Sequence, residues 1–448
     1  MRLSRLIFSS VLHNLDSRLF LARKTEAGLI HPGLSRPLAS HFRQSVSNPQ
    51  PKPIRAFSTD GTSTRTFLPT DSASPIVFTT SEALPTVKAS ATIGGRLLAP
   101  DIVKGTAAQI ITWHHFSVFG PMSDAAWPAA PFLFQWLADY GRLSVQCFLV
   151  VSGFMAAAAL LPGGSKPGSP PLLAHVLNSV FGRYIRLAKV YFIGLAAALV
   201  CAAISRGLIQ DLSVPAAPDL FGLVAHLFFA QDLLGVPALT AGAWYVAIDL
   251  QLYAMLALMC ASAGLVTCGS SFAKAVAMVM VATLATCSLM EFNLYSELDI
   301  WGIYFFGSYG LGIAAYWVSR CEGWYKVVWT LVMMLLCGVA LLVQWRSRIA
   351  VSAMTGLLLI VGGTYRSLSC DWLARFAFYL SRISFPLFVL HYPLLMLVGA
   401  LVASTWEDNA LANGLGLVAA WAVSMAAATL ASNWLEPVAK PSSVQWCP

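Results

Sequence analysis

Apolar runs of membrane length recur along most of this 448-residue chain and leave little room for a large soluble domain. The runs lie at about 105–122, 143–161, 187–205, 243–266, 272–290, 300–318, 326–344, 349–363, 376–402 and 414–435. A helix that crosses a hydrocarbon core of about 30 Å needs about 20 apolar residues. The sequence therefore predicts an all-α integral membrane protein, a bundle of about ten transmembrane helices.

Composition supports this class, because 57% of the residues are apolar and only 11% are charged. Much of the net charge of +8 lies in the first 60 residues and the rest in short loops, which indicates a role in topology rather than nucleic-acid binding. The cysteines form neither a C-x-x-C pair nor a cluster with histidines, so we expect no metal. A further apolar stretch, Phe221–Leu234, resembles a half-span or interfacial helix and leaves the exact count open.

The first 98 residues are rich in Ser, Thr, Pro and Arg and contain no span of membrane length. We expect a low-complexity, disordered extension there. A cytoplasmic tail, an organellar transit peptide and a start codon placed too early are the open interpretations. The predicted division is thus an extension at 1–98, a transmembrane domain at 99–440 and a short tail at 441–448.

Loop charges predict the orientation of the bundle, because cytoplasmic loops of membrane proteins carry the lysines and arginines. With the segment before Lys104 inside, the inner loops and tail hold basic residues: Lys166, Arg183, Arg186, Lys274, Arg320, Lys326, Arg366, Arg375 and Lys440. The outer loops are mainly acidic, and their basic exceptions are Arg142, Arg206, Arg346 and Arg348. Both termini are therefore predicted to be cytoplasmic, although the pair Arg346 and Arg348 argues against the placement of the seventh and eighth spans.

Lys104 and His115 stand eleven residues apart at the start of the first apolar run. On a helix this spacing is about 16 Å, so a lysine at one interface places the histidine near the middle of the membrane. An ionisable side chain at that depth marks a functional site, and a neutral imidazole accepts a proton from an alcohol. Packing against another helix is the alternative. The neighbouring His114 points about 100° away, so we expect only one histidine to face a site.

Three basic residues, Arg183, Arg186 and Lys189, follow at intervals of three at the entrance to the third span, along one side of a helix. They either fix the topology by snorkelling or clamp the phosphate of a ligand from the cytoplasm.

Within the fourth span, Trp244 to Tyr253 contains Asp249 and Gln251. A carboxylate inside a span needs a partner, and we expect either a histidine or a cation such as Arg142, Lys189 or Arg382. An ion pair that holds the bundle together and a direct catalytic role both remain open.

Late in the chain, His391 lies between Pro386 and Pro393, and broken helices of this kind often line cavities. His391 is therefore a second site candidate, with helix packing as the alternative.

Five stretches carry a family resemblance in one consistent order. They are Asp101 to His115, Gly141 to the Ser152-Gly153-Phe154 tripeptide, Arg183-Tyr-Ile-Arg186, Trp244 to Tyr253, and Ile383-Ser384 to Leu390-His391-Tyr-Pro393. Together they resemble the membrane acyltransferase-3 family, ten-helix O-acyltransferases that modify bacterial glycans and lipids. Lys104 stands where the family usually has arginine, and Gln146 and Asp249 stand where an Asp and a Glu are frequent.

The resemblance implies an O-acyltransferase that uses acyl-CoA, with acetyl-CoA the expected donor. The charge pattern favours a bacterial-type inner membrane. It implies as acceptor a hydroxyl of a cell-envelope polysaccharide, a lipid-linked saccharide or a secreted small molecule. The implied partners are membrane lipid, acyl-CoA and this acceptor, without nucleic acid or metal. The implied roles are catalysis for His115, Asp249 and His391, coenzyme binding for Lys104, Arg183 and Arg186, and a substrate tunnel lined by Ser152, Trp244 and Gln251.

Two other functions fit the same residues. A proton-coupled transporter or flippase would use Lys104, His115, Asp249 and His391 as a proton path, but such proteins often show inverted repeats and none is visible between the halves of the sequence. In a membrane sensor or scaffold the polar residues would specify packing alone.

Overall fold

The computed structural model describes residues 98–160, 172–266, 270–363 and 371–435, which form α-helices and short 3₁₀ turns without a strand. The helices are α1 (Leu98–Val118), α2 (Pro121–Ala126), α3 (Pro131–Tyr140), α4 (Ser144–Leu160), α5 (Leu172–Leu208), α6 (Leu220–Leu227), α7 (Ala243–Val266), α8 (Ser270–Met290), α9 (Gly302–Arg320), α10 (Gly323–Val343), α11 (Ser347–Gly362), α12 (Asp371–Trp406) and α13 (Ala410–Leu435). The predicted extension and tail lie outside the described residues, apart from Leu98 in α1.

The all-helical prediction is confirmed, and each of the ten apolar runs corresponds to one helix of the described chain. Seven helical segments are long and apolar enough to cross a membrane by length and composition. Of the other three, α11 has only 16 residues, and polar residues lower the mean hydropathy of α1 and α9. The count of ten and the cytoplasmic placement of the termini stay predictions.

Arg346 and Arg348, two basic residues in a loop predicted to be external, bind backbone carbonyl oxygens near the ends of helices. Arg346 is buried and donates hydrogen bonds to the carbonyl oxygens of Leu289 near the end of α8 (2.8 Å) and of Ala340 near the end of α10 (3.2 Å). Arg348 donates to the carbonyl oxygen of Asn293 (2.9 Å). Basic side chains commonly bind the unpaired carbonyls at helix C-termini. Their position therefore has a structural cause, and the placement of the seventh and eighth spans stays a prediction.

Helix α12 is the centre of one half of the bundle, where it packs against α1, α5 and α13. It runs parallel to α1, because Ser381 donates a hydrogen bond to Asp101 (2.6 Å) near the start of α1, and His391, ten residues later in α12, meets His115 near the end of α1. The two predicted site histidines are therefore brought together by the register of one helix pair.

Helices α4 and α9 make the tightest contact in the other half. They run antiparallel, and a Cβ atom on Gly153 would overlap the carbonyl oxygen of Tyr309, just as one on Gly312 would overlap that of Val150. Small residues let transmembrane helices approach closely where lipid supplies no hydrophobic force between them. The two glycines thereby allow α4 and α9 to approach closely next to Ser152.

We expect Gly153→Ala to lower the apparent melting temperature of the purified protein, because the added methyl forces two backbones apart at a cost of about 1–3 kcal/mol. Gly264→Ala in α7 is the matched control, since a Cβ there meets no heavy atom within 4 Å. Equal melting temperatures for the two variants would contradict the close approach of α4 and α9.

Candidate active site

Two buried histidines from different helices form a hydrogen-bonded pair. Nδ1 of His115 lies 2.6 Å from Nε2 of His391, and the planes of the two rings are nearly parallel, with an interplanar angle of 3° and centroids 4.9 Å apart. Nδ1 of His391 lies 2.9 Å from the carbonyl oxygen of Leu387, one turn earlier in α12. We call His115 and His391 the histidine pair.

The hydrogen-bond network assigns the protons of this pair. A carbonyl oxygen only accepts, so Nδ1 of His391 carries the hydrogen and Nε2 of His391 has a lone pair. That lone pair accepts the hydrogen on Nδ1 of His115, which leaves Nε2 of His115 as an acceptor. The pair therefore presents one neutral imidazole nitrogen that is oriented to take a proton.

His114 does not join the pair, as its position on the helix predicted. Its Nδ1 lies 2.8 Å from the carbonyl oxygen of Leu137, and its Cβ would be 2.7 Å from a Cβ at Gly141. His114 thus fastens the segment containing α3 to α1.

A second polar cluster contains Arg183, Asp249 and Ser152. Arg183 donates from Nε to Oδ2 of Asp249 (2.9 Å) and from Nη2 to both carboxylate oxygens (2.9 and 2.6 Å). Ser152 donates to Oδ1 of the same carboxylate and accepts from Nη2 of Arg183 (3.2 Å). The carboxylate is 2% exposed, whereas the arginine side chain is 25% exposed. We call these three residues the arginine–aspartate cluster.

The partner of Asp249 is a cation, one of the two kinds of partner expected, but it is Arg183 and not Arg142, Lys189 or Arg382. Arg382 donates instead to Asn433 (2.9 Å). From the sequence, Arg183 is a candidate only for topology or phosphate binding. Its spacing from Asp249, 66 residues away on another helix, carries no local signal of this contact.

The ion pair leaves part of Arg183 available. The guanidinium uses Nε and Nη2 for the carboxylate, and Nη1 has no hydrogen bond to the described residues. Asp249 therefore holds the guanidinium plane in place with Nη1 directed away from the carboxylate. A planar guanidinium that is fixed on one edge suits an oxyanion on the other edge.

Three aromatic rings separate the two clusters, and we call Phe148, Tyr245 and Phe388 the aromatic layer. Their ring centroids lie between 5.4 and 6.0 Å apart. Phe388 precedes His391 by about one turn of α12, and Asp249 follows Tyr245 by about one turn of α7. The histidine pair therefore lies on the side of this layer that is predicted to be external, and the arginine–aspartate cluster on the side predicted to be cytoplasmic.

The remaining predicted site residues lie at different distances from these clusters. Lys104 is half-buried on α1, about 16 Å before His115 by helical rise, and Arg186 is exposed one turn after Arg183. Trp244 packs against Phe305 (5.6 Å between centroids) beside the aromatic layer. Gln251 accepts a hydrogen bond from the backbone nitrogen of Gly302 (2.8 Å), so it fixes the start of α9 instead of joining either cluster.

Sequence reasoning also missed Tyr309, whose side chain is fully buried and whose hydroxyl makes no hydrogen bond to a described residue. It lies within electrostatic range of both Arg183 and Asp249. Nothing in the sequence around Tyr309 distinguishes it from the other tyrosines of α9. Its position next to Ser152 follows only from the close approach of α4 and α9.

Comparison with known proteins gives a family match and one curated relative. A family model described as an acyltransferase domain, of the acyltransferase-3 type, matches residues 97–434. Regulator of hypoxia-inducible factor 1 from Caenorhabditis elegans is 28% identical over 124 residues, which cover 27% of this chain and 23% of that protein. The chain thus matches less than a quarter of the length of this relative. No solved structure matches.

We expect Asp249→Leu alone to destabilise the protein by about 3 kcal/mol, because it leaves the guanidinium of Arg183 largely buried without a counter-charge. The double variant Arg183→Met/Asp249→Leu should recover much of this loss, since an apolar pair of similar volume replaces both charges. Thermal melts in lipid nanodiscs measure both effects. A double variant that melts as low as the single variant would contradict a direct ion pair.

Proposed function

We propose that this chain, which belongs to the acyltransferase-3 family over residues 97–434, moves an acyl group from acyl-CoA to a hydroxyl of an envelope acceptor. Family membership identifies an acyltransferase that transfers groups other than amino-acyl groups, and the apolar helices identify a multi-pass membrane protein. The donor, the acceptor and the membrane are our proposals: acetyl-CoA as the first donor to test, a glycan, lipid-linked saccharide or secreted small molecule as acceptor, and a bacterial-type inner membrane.

The histidine pair is the observation that carries this proposal. Nε2 of His115 takes the proton of the acceptor hydroxyl while the acceptor oxygen forms a bond to the thioester carbon. The carbon–sulfur bond then breaks, and the imidazolium returns the proton to the sulfur of coenzyme A. His391 keeps the ring of His115 in the required tautomer and stabilises its positive charge through the hydrogen bond between them.

The arginine–aspartate cluster supports a binding site for the coenzyme on the predicted cytoplasmic side. Nη1 of Arg183 is directed away from Asp249, and Arg186 and Lys104 supply further positive charge for phosphate groups. Asp249 then acts as a positioning residue for Arg183 instead of a catalytic group. Ser152 supports the same carboxylate.

The aromatic layer separates phosphate binding from the reacting bond. The phosphates and the thioester lie at opposite ends of the narrow pantetheine arm of acyl-CoA. The three rings are in contact, with centroids 5.4–6.0 Å apart, so they must move apart before an arm passes between them. Such an arm would bring the thioester to His115 while the phosphates stay beside Arg183. Acyl-CoA bound in this way would place its phosphates at the arginine–aspartate cluster and its thioester at the histidine pair, on opposite sides of the aromatic layer.

We expect His115→Gln to lower the rate of coenzyme A release from acetyl-CoA by about 10²–10⁴-fold, the usual contribution of a general base. Binding of acetyl-CoA, measured by calorimetry in nanodiscs, should change little because the phosphates bind elsewhere. Arg183→Lys should show the opposite pattern, with weaker binding and a smaller effect on the rate at saturation.

His114→Asn is the matched control for this experiment, because it changes the adjacent histidine and keeps a donor for Leu137. It should leave the rate of coenzyme A release close to that of the wild type. A folded His115→Gln variant with wild-type activity would refute the role of the histidine pair. A wild-type protein that neither binds nor cleaves acyl-CoA would overturn the proposed donor.

A further inference from the structure

The segment between α6 and α7, residues 228–242, packs against the aromatic layer. A Cβ atom on Gly242 would lie 2.7 Å from Cε1 of Phe388, so the backbone of the segment directly abuts this ring. The segment is tied to α6, because the backbone nitrogen of Leu239 donates a hydrogen bond to Nε2 of His226 (3.2 Å). In this position it blocks one direction in which Phe388 would move away from the other two rings.

The backbone of this segment is strained at Phe229. Its φ is 56°, and among the described residues only glycines otherwise have a positive φ. This left-handed region is unfavourable for a bulky side chain. The ring of Phe229 packs between those of Tyr184 and Tyr191 in α5, with centroids 5.2 and 5.1 Å away. Packing against α5 thus keeps the segment in a conformation that its own backbone disfavours.

The same segment buries two polar atoms that lack partners. Oε1 of Gln231 and Oγ1 of Thr240 are buried, and neither forms a hydrogen bond to a described residue. A buried hydroxyl or amide oxygen without a partner has lost its hydrogen bonds to water and gained none in return. Both atoms would be hydrated again if the segment moved away from the bundle.

Asp232 adds an electrostatic cost to the packed position. Its carboxylate accepts a hydrogen bond from Nε2 of Gln231 (2.8 Å), yet burial raises the pKa of the group to about 6. Tyr191 of α5 and Asp299 of the turn before α9 lie within electrostatic range. At neutral pH the carboxylate is mostly ionised in a place that favours its neutral form, and contact with water would stabilise its charge.

The outer side of the segment is not covered by the described residues. Phe228, Leu233 and Leu234 are exposed, whereas Phe229 and Leu239 on the inner side are buried. The segment is therefore held from one side, and outward movement displaces no other described part of the chain.

We propose that the segment 228–242 is a gate, which moves outward from α5 and α12 and thereby lets the aromatic layer open. The inference rests on the proposed function, in which the pantetheine arm of acyl-CoA crosses this layer. Outward movement releases Phe388 from Gly242, relaxes the backbone of Phe229 and returns the buried polar atoms to water. The strain and the unpartnered atoms lower the free energy that opening requires.

Thr240→Val tests the gate, because it removes an unpartnered hydroxyl and keeps the shape of the side chain. It should stabilise the closed segment and slow hydrogen–deuterium exchange of the Val236 and Leu239 amides about tenfold, since both amides are hydrogen-bonded in the closed position. The measurement uses the full-length protein in nanodiscs. Thr286→Val in α8 is the matched control, because its hydroxyl already donates to the carbonyl oxygen of Ala282 (2.8 Å), and it should leave this exchange unchanged.

The same variant links the gate to the proposed reaction. If acyl-CoA binds productively only to the open form, Thr240→Val should lower kcat/KM for acetyl-CoA by about the factor by which it slows exchange. Asp232→Asn removes the buried charge and keeps an acceptor for Gln231, so it should act in the same direction. It decides the question if Thr240→Val fails to fold.

Each outcome decides a different point. Wild-type amides of the segment that exchange as slowly as those of α5 and α7 would overturn the gate, and so would equal exchange in the wild type and both variants. Slower exchange with an unchanged kcat/KM would show that the movement does not control access and would overturn it as well. A wild type that is inactive with acetyl-CoA refutes the proposed donor, and the exchange rates then still decide whether the segment moves.

Discussion

A carboxylate inside an apolar helix bundle is stable only beside a compensating charge, and Asp249 meets this requirement through Arg183. The contact joins α5 to α7, and Ser152 adds α4 through its hydrogen bond to the same carboxylate. Three helices are thus joined at one level of the bundle. The orientation of the free edge of Arg183, and with it the proposed phosphate site, depends on this single ion pair.

The tripeptide Ser152-Gly153-Phe154 supports this arrangement with three different contacts. Ser152 bonds to Asp249, Gly153 allows α9 to approach, and Phe154 packs edge-on against Tyr316 of α9 (5.3 Å between centroids). One turn of α4 therefore links the polar cluster to the packing around it.

The sequence alone predicts where the helices lie, but it does not predict which side chains of different helices meet. Apolar runs of membrane length are local signals, so the ten runs correspond to helices of the described chain. The meeting of His115 with His391 depends on the register of α1 against α12, and the pairing of Asp249 with Arg183 on that of α5 against α7. Register arises from side-chain fit along whole helices, which no short pattern encodes. Gln251 shows the same limit, since its neighbour Asp249 faces a cluster while Gln251 binds the backbone of Gly302.

The hydrogen-bond chain of the histidine pair ends at the carbonyl oxygen of Leu387, a group that neither accepts a proton at physiological pH nor passes one on. Beyond it, the aromatic layer of Phe148, Tyr245 and Phe388 lies between the pair and the arginine–aspartate cluster. Among the described residues, the hydrogen bonds of the pair end at Leu387. In the proposed reaction, the proton that His115 takes therefore leaves from the same ring and does not travel along this chain of hydrogen bonds.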